Sequence, residues 1–279
     1  MTMLTEPWMQ RAFLAALLLA PLCGLIGVFV TARRMAFFSD TISHAGLAGM
    51  ALGIWLGWAD PTLPLIAVSL LVAAAIFWLK ENTTLVTDSI MALLLSGSVA
   101  AGVLILKMLH TRLADLNGFL FGDILAVGWH DVWKAAALCG LVTAGVFSRL
   151  SELSLLTAHE ELARVCGVRA RRLNYISVIV LALTVAMTIR LLGIILVTAL
   201  LVIPPAAAAN LSRNLRQQIL FSVVIGLLGG IGGLALAFEW NVPCGASIVL
   251  TCIGLFIVAL AVGRWRHART FHATAGSIS

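Results

Sequence analysis

Asp40 and His44 are the residues whose types and spacing are best suited to chemistry in this sequence. They lie four positions apart in the stretch 33–57, RRMAFFSDTISHAGLAGMALGIWLG. If this stretch is helical, residues four apart project from the same face, one turn from each other. A carboxylate and an imidazole together suit borderline divalent cations such as zinc, manganese and iron(II). The pair is therefore a candidate metal contact.

Two side chains from one chain do not complete a metal coordination shell. Two copies facing each other across a dimer axis would offer two aspartates and two histidines, enough for a transient four-ligand site. An incomplete shell suits a passage site, because an ion that is held too tightly cannot leave. A structural alternative stays open: Asp40 caps the second helix, with Ser39 or Ser43 sharing the task, and His44 hydrogen-bonds within the bundle.

The composition decides what must surround this pair. The chain has 279 residues, of which 61% are hydrophobic and 11% are charged, and its mean hydropathy is +1.07. Soluble domains carry roughly 25% charged residues. Apolar runs of about 20 residues recur throughout, without the alternating pattern of a membrane β-barrel. We therefore predict an all-α, polytopic integral membrane helical bundle that forms one domain over residues 1–279.

The apolar runs predict about nine transmembrane helices, with a range of eight to ten. Asp40 and His44 would then lie inside or at the edge of a span, where ionisable residues usually mark an ion or substrate path. The predicted spans are 11–32, 40–58, 62–79, 88–109, 129–147, 173–190, 191–209, 217–238 and 243–263.

Basic residues are distributed unevenly between the predicted loops. If the first span runs from outside to inside, thirteen Lys and Arg residues fall in inner segments and four in outer segments. By the positive-inside rule, the N-terminus is outside and the C-terminus is cytoplasmic, with a basic cytoplasmic tail at 264–279. The net charge of +6 is thus attributed to cytoplasmic loops rather than to nucleic-acid binding. The first apolar run exceeds a signal-peptide core and is expected to be retained.

Small residues recur at helical spacing in two predicted spans, which predicts close approach of helix backbones. In the second span, this stripe would allow two copies of the helix to meet; it comprises Ala45, Gly49, Gly53 and Gly57. In the eighth span, two overlapping GxxxG patterns predict tight packing; they pair Gly226 with Gly230 and Gly229 with Gly233.

Two breaks interrupt the long apolar stretch 175–209. A tight external turn at residues 190–193 would divide it into the sixth and seventh spans. Pro204 and Pro205 remove two backbone donors near the end of the seventh span. A kinked or re-entrant segment beside the pathway and a simple helix end both fit this pair.

The segment 149–172, RLSELSLLTAHEELARVCGVRARR, is the longest predicted cytoplasmic connection. Thr157 is a possible cap for a short helix that starts near Ala158, Glu160 matches the third position of a capping box, and Gly167 is a possible end. Such a helix could dock a soluble partner. The alternative is an amphipathic helix that lies on the bilayer surface.

Five sequence blocks resemble the permease subunits of bacterial ABC importers for zinc, manganese and iron. They occur in the family's order between about residue 30 and residue 255, and they read RRMAFFSDTISHAGLAGMALG, FGDILAV, AHEELARVCGVRARRLNYI, LLGIILVTALLVIPPAAAA and NVPCGASIVL. The resemblance implies a second permease copy or a related chain, separate ATPase subunits that alone bind ATP, and an extracytoplasmic metal-binding receptor. It also implies a bacterial inner-membrane location, with the metal ion as cargo and no covalent cofactor.

The resemblance also assigns roles to particular residues. Asp40 and His44 match the family's D-x-x-x-H-A block and are implied ion contacts. The segment 158–168 resembles the coupling helix that fits a groove of the ATPase, and the implied contacts are Ala158, His159, Glu160, Glu161, Leu162, Ala163, Gly167 and Val168.

Several motifs that the sequence lacks bear on the class of protein. The sequence has no GxxxxGK[ST] loop, so the chain is not expected to bind ATP phosphates itself. It also lacks GxSxG and HExxH motifs, which argues against an enzyme. A self-contained secondary transporter or channel for divalent cations remains the alternative, and it predicts inverted repeats with more carboxylates inside spans. The predicted topology places Asp40 near the cytoplasm, so a central site and an exit-side site both remain open.

Overall fold

The computed structural model describes residues 7–58, 60–108, 122, 127–158, 165 and 169–275. This part of the chain forms ten α-helices and contains no β-strand. The helices are α1 (Pro7–Ala32), α2 (Ala36–Trp55), α3 (Thr62–Asn82), α4 (Thr87–Met108), α5 (Trp129–Ser148), α6 (Leu150–Ala158), α7 (Ala170–Leu192), α8 (Ile194–Leu211), α9 (Leu215–Trp240) and α10 (Cys244–Ala275).

Eight of these helices are long and apolar enough to cross a membrane, judged by length and composition: α1, α3, α4, α5, α7, α8, α9 and α10. Helix α2 has 20 residues, or about 30 Å, but it contains Asp40 and His44 and falls outside this apolar set. Exposed tryptophans mark both ends of the bundle, as interfacial residues do; they include Trp55, Trp129, Trp133 and Trp240 at one end and Trp78 and Trp265 at the other. The predicted all-α polytopic membrane bundle is confirmed.

Helices α2 and α10 are among those whose bounds differ from the predicted spans. Helix α2 begins at Ala36 rather than at residue 40 because the preceding turn closes there. Arg34 adopts a left-handed conformation with φ of 54°, and the Met35 amide donates to the Val30 carbonyl at 3.0 Å, which is the Schellman closure of α1. At the other terminus, α10 continues to Ala275, so the backbone of the predicted tail is helical well beyond residue 263.

The helices pack in two groups. In the first group, α1 and α10 each pack against α8 and α9. In the second group, α2 lies between α3 and α4, and α3 also packs against α7. Helix α5 contacts α1 and α7, and contacts between α2 and α8 connect the two groups. Helix α2, which carries Asp40 and His44, therefore lies where the two groups meet.

Ion pairs and hydrogen bonds define the two ends of the bundle. At the end that we call the basic end, the Arg33 Nη1 donates to the Asn174 Oδ1 at 3.1 Å, and the Arg171 Nη2 donates to the Glu81 Oε2 at 2.8 Å. At the opposite end, the Arg190 Nη1 donates to the Asp60 Oδ1 at 3.2 Å. Helices α3 and α7 are thus antiparallel and linked at both ends.

The two GxxxG patterns of α9 face different helices. Cβ atoms added at Gly226 and Gly230 would lie 2.9 Å from the Ala20 carbonyl oxygen and 2.8 Å from the Ala20 Cβ of α1. A Cβ atom at Gly229 would overlap the Cys252 sulfur of α10. The predicted tight packing is confirmed, and α9 uses one pattern for each neighbour.

The small-residue stripe of α2 packs against another helix of the same chain. A Cβ atom at Gly49 would lie 2.7 Å from the Pro64 carbonyl oxygen of α3, and one at Gly53 would lie 3.0 Å from Pro61. Gly57 has no such neighbour within 4 Å. The prediction that this stripe brings two copies of the helix together is wrong, because α3 already fills the groove that the missing side chains leave.

The two predicted breaks have different outcomes. The turn is confirmed: α7 ends at Leu192, Gly193 has a φ of 79°, and α8 begins at the next residue. Pro204 and Pro205 do not end their helix, since α8 runs through both to Leu211. Pro205 has no N–H for the carbonyl of Leu201 four residues earlier. Gly27 of α1 approaches that carbonyl so closely that a side chain there would overlap it.

In the connection that was predicted to be cytoplasmic, Thr157 lies inside a helix rather than before one. Helix α6 ends at Ala158, where the predicted helix was expected to begin. The Thr157 Oγ1 donates to the Leu153 carbonyl at 2.7 Å, as hydroxyl groups inside helices commonly do. The prediction of Thr157 as an N-cap is therefore wrong.

Candidate metal-contact site

Asp40 and His44 lie in the half of α2 that is nearer the basic end. At a rise of 1.5 Å per residue, Asp40 is about 6 Å and His44 about 12 Å from the first residue of a helix that is about 30 Å long. The N-cap position of α2 is Met35, and it makes no side-chain capping hydrogen bond. The alternative in which Asp40 caps the helix is wrong, because α2 starts a full turn before it.

The side chains of Asp40 and His44 are close, but they do not form a hydrogen bond with each other. The His44 Nε2 lies 3.8 Å from the Asp40 Oδ1, which is too long for a hydrogen bond. The side chains of His44 and Asp40 are 24% and 40% exposed. The His44 Nδ1 is buried and has no hydrogen-bond partner among the described residues. A carboxylate and an imidazole with unused acceptor capacity can be bridged by a cation.

The neighbours of α2 explain why this pair is accessible. Gly49 and Gly53 lie against α3, and the Thr41 Oγ1 donates to the Met91 carbonyl of α4 at 3.3 Å. With 3.6 residues per turn, Asp40 and His44 lie on a different face of α2 from Gly49 and Gly53. Within the described residues, this face is left partly open, so the site can be approached from outside the chain.

The site of one chain is incomplete as a metal centre. No group of three or more His, Cys, Asp or Glu side chains that could hold a metal ion occurs in the part of the chain that the structure describes. Asp40 and His44 supply at most two ligand residues, whereas a tetrahedral zinc site needs four ligands. Further ligands would have to come from water or from groups beyond these residues, such as those of a second copy.

Ser43 is a polar neighbour that the sequence suggested only as a cap. It is completely buried, and its hydroxyl has no partner among the described residues. Thr41 on the same helix donates to the Phe37 carbonyl at 2.9 Å, which is the usual arrangement for a helical hydroxyl. Ser43 is notable only because it is buried and its hydroxyl lacks a hydrogen-bond partner among the described residues. Neither property can be deduced from the sequence.

The carboxylate of Asp60 has a structural role, because it links two parts of the bundle. It lies between α2 and α3 and accepts hydrogen bonds from Thr62 and Arg190. The hydrogen bond from the Thr62 side chain has the largest effect and lowers the pKa of Asp60 below its ordinary value. Burial opposes this shift, and smaller contributions that include the charge of Arg190 add to the lowering. Its negative charge is already matched by a basic partner, so Asp60 is not a candidate metal ligand.

The predicted ATPase contacts fall mostly outside the described residues. Ala158 is the last residue of α6. The others have no described position and stay a prediction from the resemblance: His159, Glu160, Glu161, Leu162, Ala163, Gly167 and Val168.

Comparisons with known proteins agree on the family. The model of the ABC 3 transport family matches residues 5–263. The chain is 31% identical over 249 residues to the high-affinity zinc uptake system membrane protein ZnuB of Haemophilus influenzae, covering 89% of this chain and 95% of the relative. It is 29% identical over 257 residues to the manganese transport system membrane protein MntC of Halalkalibacterium halodurans, covering 92% and 88%.

A solved structure gives the same result at the level of the fold. The chain superposes on a chain of PsaBC from Streptococcus pneumoniae in complex with Fab with a TM-score of 0.82, at 28% identity and 92% coverage of both chains. The match to the family model covers nearly all of α1 to α10, including the Asp40 and His44 pair. The chain therefore belongs to the ABC 3 transport family, among the membrane permeases of metal ABC transporters.

Proposed function

We propose that this chain is the permease of an ABC importer that moves a divalent transition metal ion across the bacterial inner membrane into the cytoplasm. The observation that carries the proposal is the pair of Asp40 and His44, 3.8 Å apart on a partly open face of α2. Relatives named for zinc uptake and for manganese transport support the choice of cargo. Zinc, manganese and iron(II) all accept these two ligand types.

Asp40 and His44 are proposed to contact the ion in transit. The metal is cargo rather than a resident cofactor, so a site with two ligand residues per chain has an advantage: it binds weakly enough to release. A second permease copy, which we propose as the partner in a homodimer, would bring another Asp40 and another His44. The position of the pair in the basic half of α2 favours a role on the exit side of the path.

The proposed orientation places the basic end of the bundle in the cytoplasm. The support is the clustering at helix ends of Arg33, Arg149, Arg171 and Arg213, which the positive-inside rule assigns to the cytoplasmic face. The N-terminus would then be outside, and α10 would carry the C-terminus into the cytoplasm. An extracytoplasmic metal-binding receptor would deliver the ion at the opposite end of this single transmembrane domain.

The energy is proposed to come from ATP hydrolysis in a separate ATPase subunit. The chain itself lacks a GxxxxGK[ST] loop, the usual cradle for nucleotide phosphates. The proposed contact with the ATPase is the segment 158–168, which follows α6 at the basic end. This segment would transmit the movement of the ATPase subunits to the helices on either side of it.

The deciding experiment is reconstitution of the permease in sealed vesicles, with and without its ATPase subunit. Zinc, manganese and iron(II) are supplied separately with the receptor, and uptake and ATP hydrolysis are measured together. We expect uptake that requires both ATP and the ATPase, with one or two of the metals preferred. Uptake that persists without the ATPase, driven by an ion gradient, would instead identify a self-contained secondary transporter or channel.

A further inference from the structure

A long apolar groove lies at the basic end, and its lining does not include Asp40 or His44. Its floor is α1, its walls are α5 and α7, and its volume is about 210 Å³, far more than the roughly 15 Å³ that a single water needs. Along α7, the lining extends from Leu173 to Leu183, or about 15 Å at 1.5 Å per residue. Leu141 and Ile176 on its walls are 69% and 51% exposed, so the groove opens sideways.

The groove has one polar end. Arg33 and Arg149 line it at the basic end, whereas most of the other lining residues are aliphatic or aromatic. The Arg33 Nη1 donates to the Asn174 Oδ1 at 3.1 Å, and the Arg149 Nη1 pairs with the Glu152 Oε2 at 3.2 Å. Both guanidinium groups thus belong to the lining of the groove. The pair of Arg149 with Glu152 is solvent-exposed, with side chains 56% and 43% exposed, and such pairs are weak.

We propose that this groove binds an anionic phospholipid. The acyl chain would lie against the apolar walls, and the phosphate would sit between the guanidinium groups of Arg33 and Arg149. The charge pattern matches that occupant: basic pockets between transmembrane helices bind anionic headgroups, and an arginine can hold a phosphate through two parallel hydrogen bonds. The lipid would fill the space between α5 and α7 and so stabilise the junction of α5 with α6.

Gly145 provides a direct way to close the groove. It lines the groove on α5, and a Cβ atom added there would meet nothing within 4 Å. Gly140 on the same helix is equally open but is absent from the lining. Gly145→Trp should therefore block the groove without straining the helix, and Gly140→Trp is its matched control. Gly145→Leu serves as a smaller blocking variant if the tryptophan impairs folding.

The test is native mass spectrometry of the delipidated full-length chain with phosphatidylglycerol or phosphatidylcholine as the added lipid. We expect wild type and Gly140→Trp to retain one phosphatidylglycerol per chain, and Gly145→Trp to lose it several-fold. Arg149→Gln should weaken phosphatidylglycerol retention about fivefold, the effect of one basic residue near an anionic headgroup. Arg213→Gln, an exposed arginine of the same end, should leave retention unchanged.

Thermal unfolding gives a second readout on the same variants. Added phosphatidylglycerol should raise the Tm of wild type and Gly140→Trp but not of Gly145→Trp, because only a bound ligand stabilises the folded state. Equal retention of the two lipids, or equal losses in the two tryptophan variants, would overturn the proposal. So would an empty groove in wild type, which would mean that protein, from the segment before α7 or from a partner, covers it.

Discussion

Asp40 and His44 are exposed to the same space because helical spacing and packing act together. Their separation of four residues places them on one face, and the glycines that contact α3 lie on another. The distance of 3.8 Å between the carboxylate and the imidazole leaves both without a strong mutual bond. A neutral imidazole nitrogen and an ionised carboxylate are the forms that bind metals, and each side chain keeps part of its surface accessible.

The first prediction concerns this pair. Asp40→Asn and His44→Ala should each lower metal uptake by at least about tenfold, since the loss of one ligand costs about 1.4 kcal/mol or more, while co-purification with the ATPase stays intact. Uptake into vesicles is the measurement. Matched controls are Asp88→Asn at the exposed start of α4 and His130→Ala at the exposed start of α5, which should transport normally. Normal uptake by the Asp40 and His44 variants would remove the pair from the pathway.

The second prediction tests the contact of α1 with the proline pair of α8. A Cβ atom at Gly27 would overlap the Leu201 carbonyl oxygen and lie 2.7 Å from the Pro205 ring. Gly27→Ala should therefore destabilise the protein by about 1–3 kcal/mol, as overpacking does. Gly97→Ala on α4 meets nothing within 4 Å and should be neutral or stabilising. The measurement is the Tm in detergent; equal Tm values for the two variants would contradict this close contact between α1 and α8.

At the scale of elements, helices α3 and α7 are joined at both ends. Glu81 pairs with Arg171 at the basic end, where the Phe77 and Tyr175 rings also pack in a tilted arrangement with centroids 3.9 Å apart. Asp60 pairs with Arg190 at the other end. Because α2 packs against α3, these links connect the helix that carries the candidate metal contacts to α7.

The third prediction is a pH dependence of the Asp60 link. Since the pKa of Asp60 is lowered in the folded state, its contribution to stability is present above the ordinary aspartate value of about 3.9 and is lost as the pH falls through the lowered pKa. Asp60→Asn should thus lower the free energy of unfolding at pH 7 by no more than about 1 kcal/mol, because the pair is exposed, and this should appear as a small decrease in Tm. At pH 3 the difference in Tm between Asp60→Asn and wild type should be smaller.

The control for this experiment is Asp88→Asn, which changes an exposed aspartate at the start of α4. Its Tm should match that of wild type at both pH values. A difference in Tm between Asp60→Asn and wild type that grew on acidification would contradict the expected direction, because protonation of the aspartate removes the same charge as the substitution.

At the scale of the whole molecule, we expect the two helix groups to have distinct tasks in the proposed transport cycle. The group of α2, α3, α4 and α7 carries the candidate metal contacts. The group of α1, α8, α9 and α10 is joined by glycine contacts on both faces of α9. The connection between α6 and α7 leads from the basic end directly into α7, so a force applied there would reach the group with the metal contacts.

The fourth prediction concerns that connection. Glu161→Ala and Gly167→Val should reduce metal-stimulated ATP hydrolysis or co-purification of the ATPase, while metal binding to the permease is retained. Glu152→Gln on α6 is the control, because it changes an exposed glutamate on the helix that precedes the proposed contact. ATPase stimulation is the readout. Unchanged coupling in both variants would favour an amphipathic helix that lies on the bilayer.

Several features could be predicted from local sequence alone. The apolar runs predicted the long helices because each crossing requires about 20 apolar residues, and Gly193 marked the turn between α7 and α8. The predicted start of α2 was wrong by one turn. The backbone turn at Arg34 determines where the helix begins, and hydropathy does not detect this turn. The prediction that the stripe at Gly49 and Gly53 meets a second copy of the helix was wrong. Small residues predict that another helix lies close, but they do not identify that helix.

The sequence by itself therefore determined that this is an all-helical membrane bundle with a carboxylate and an imidazole on one helix face. These conclusions depend on length, composition and spacing along the chain, which are local properties. Only the tertiary structure decided that α3 occupies the glycine stripe, that Arg190 matches the charge of Asp60, and that Asp40 and His44 remain accessible. Burial and pairing depend on residues that are distant in the sequence, and only the packing of helices brings those residues together.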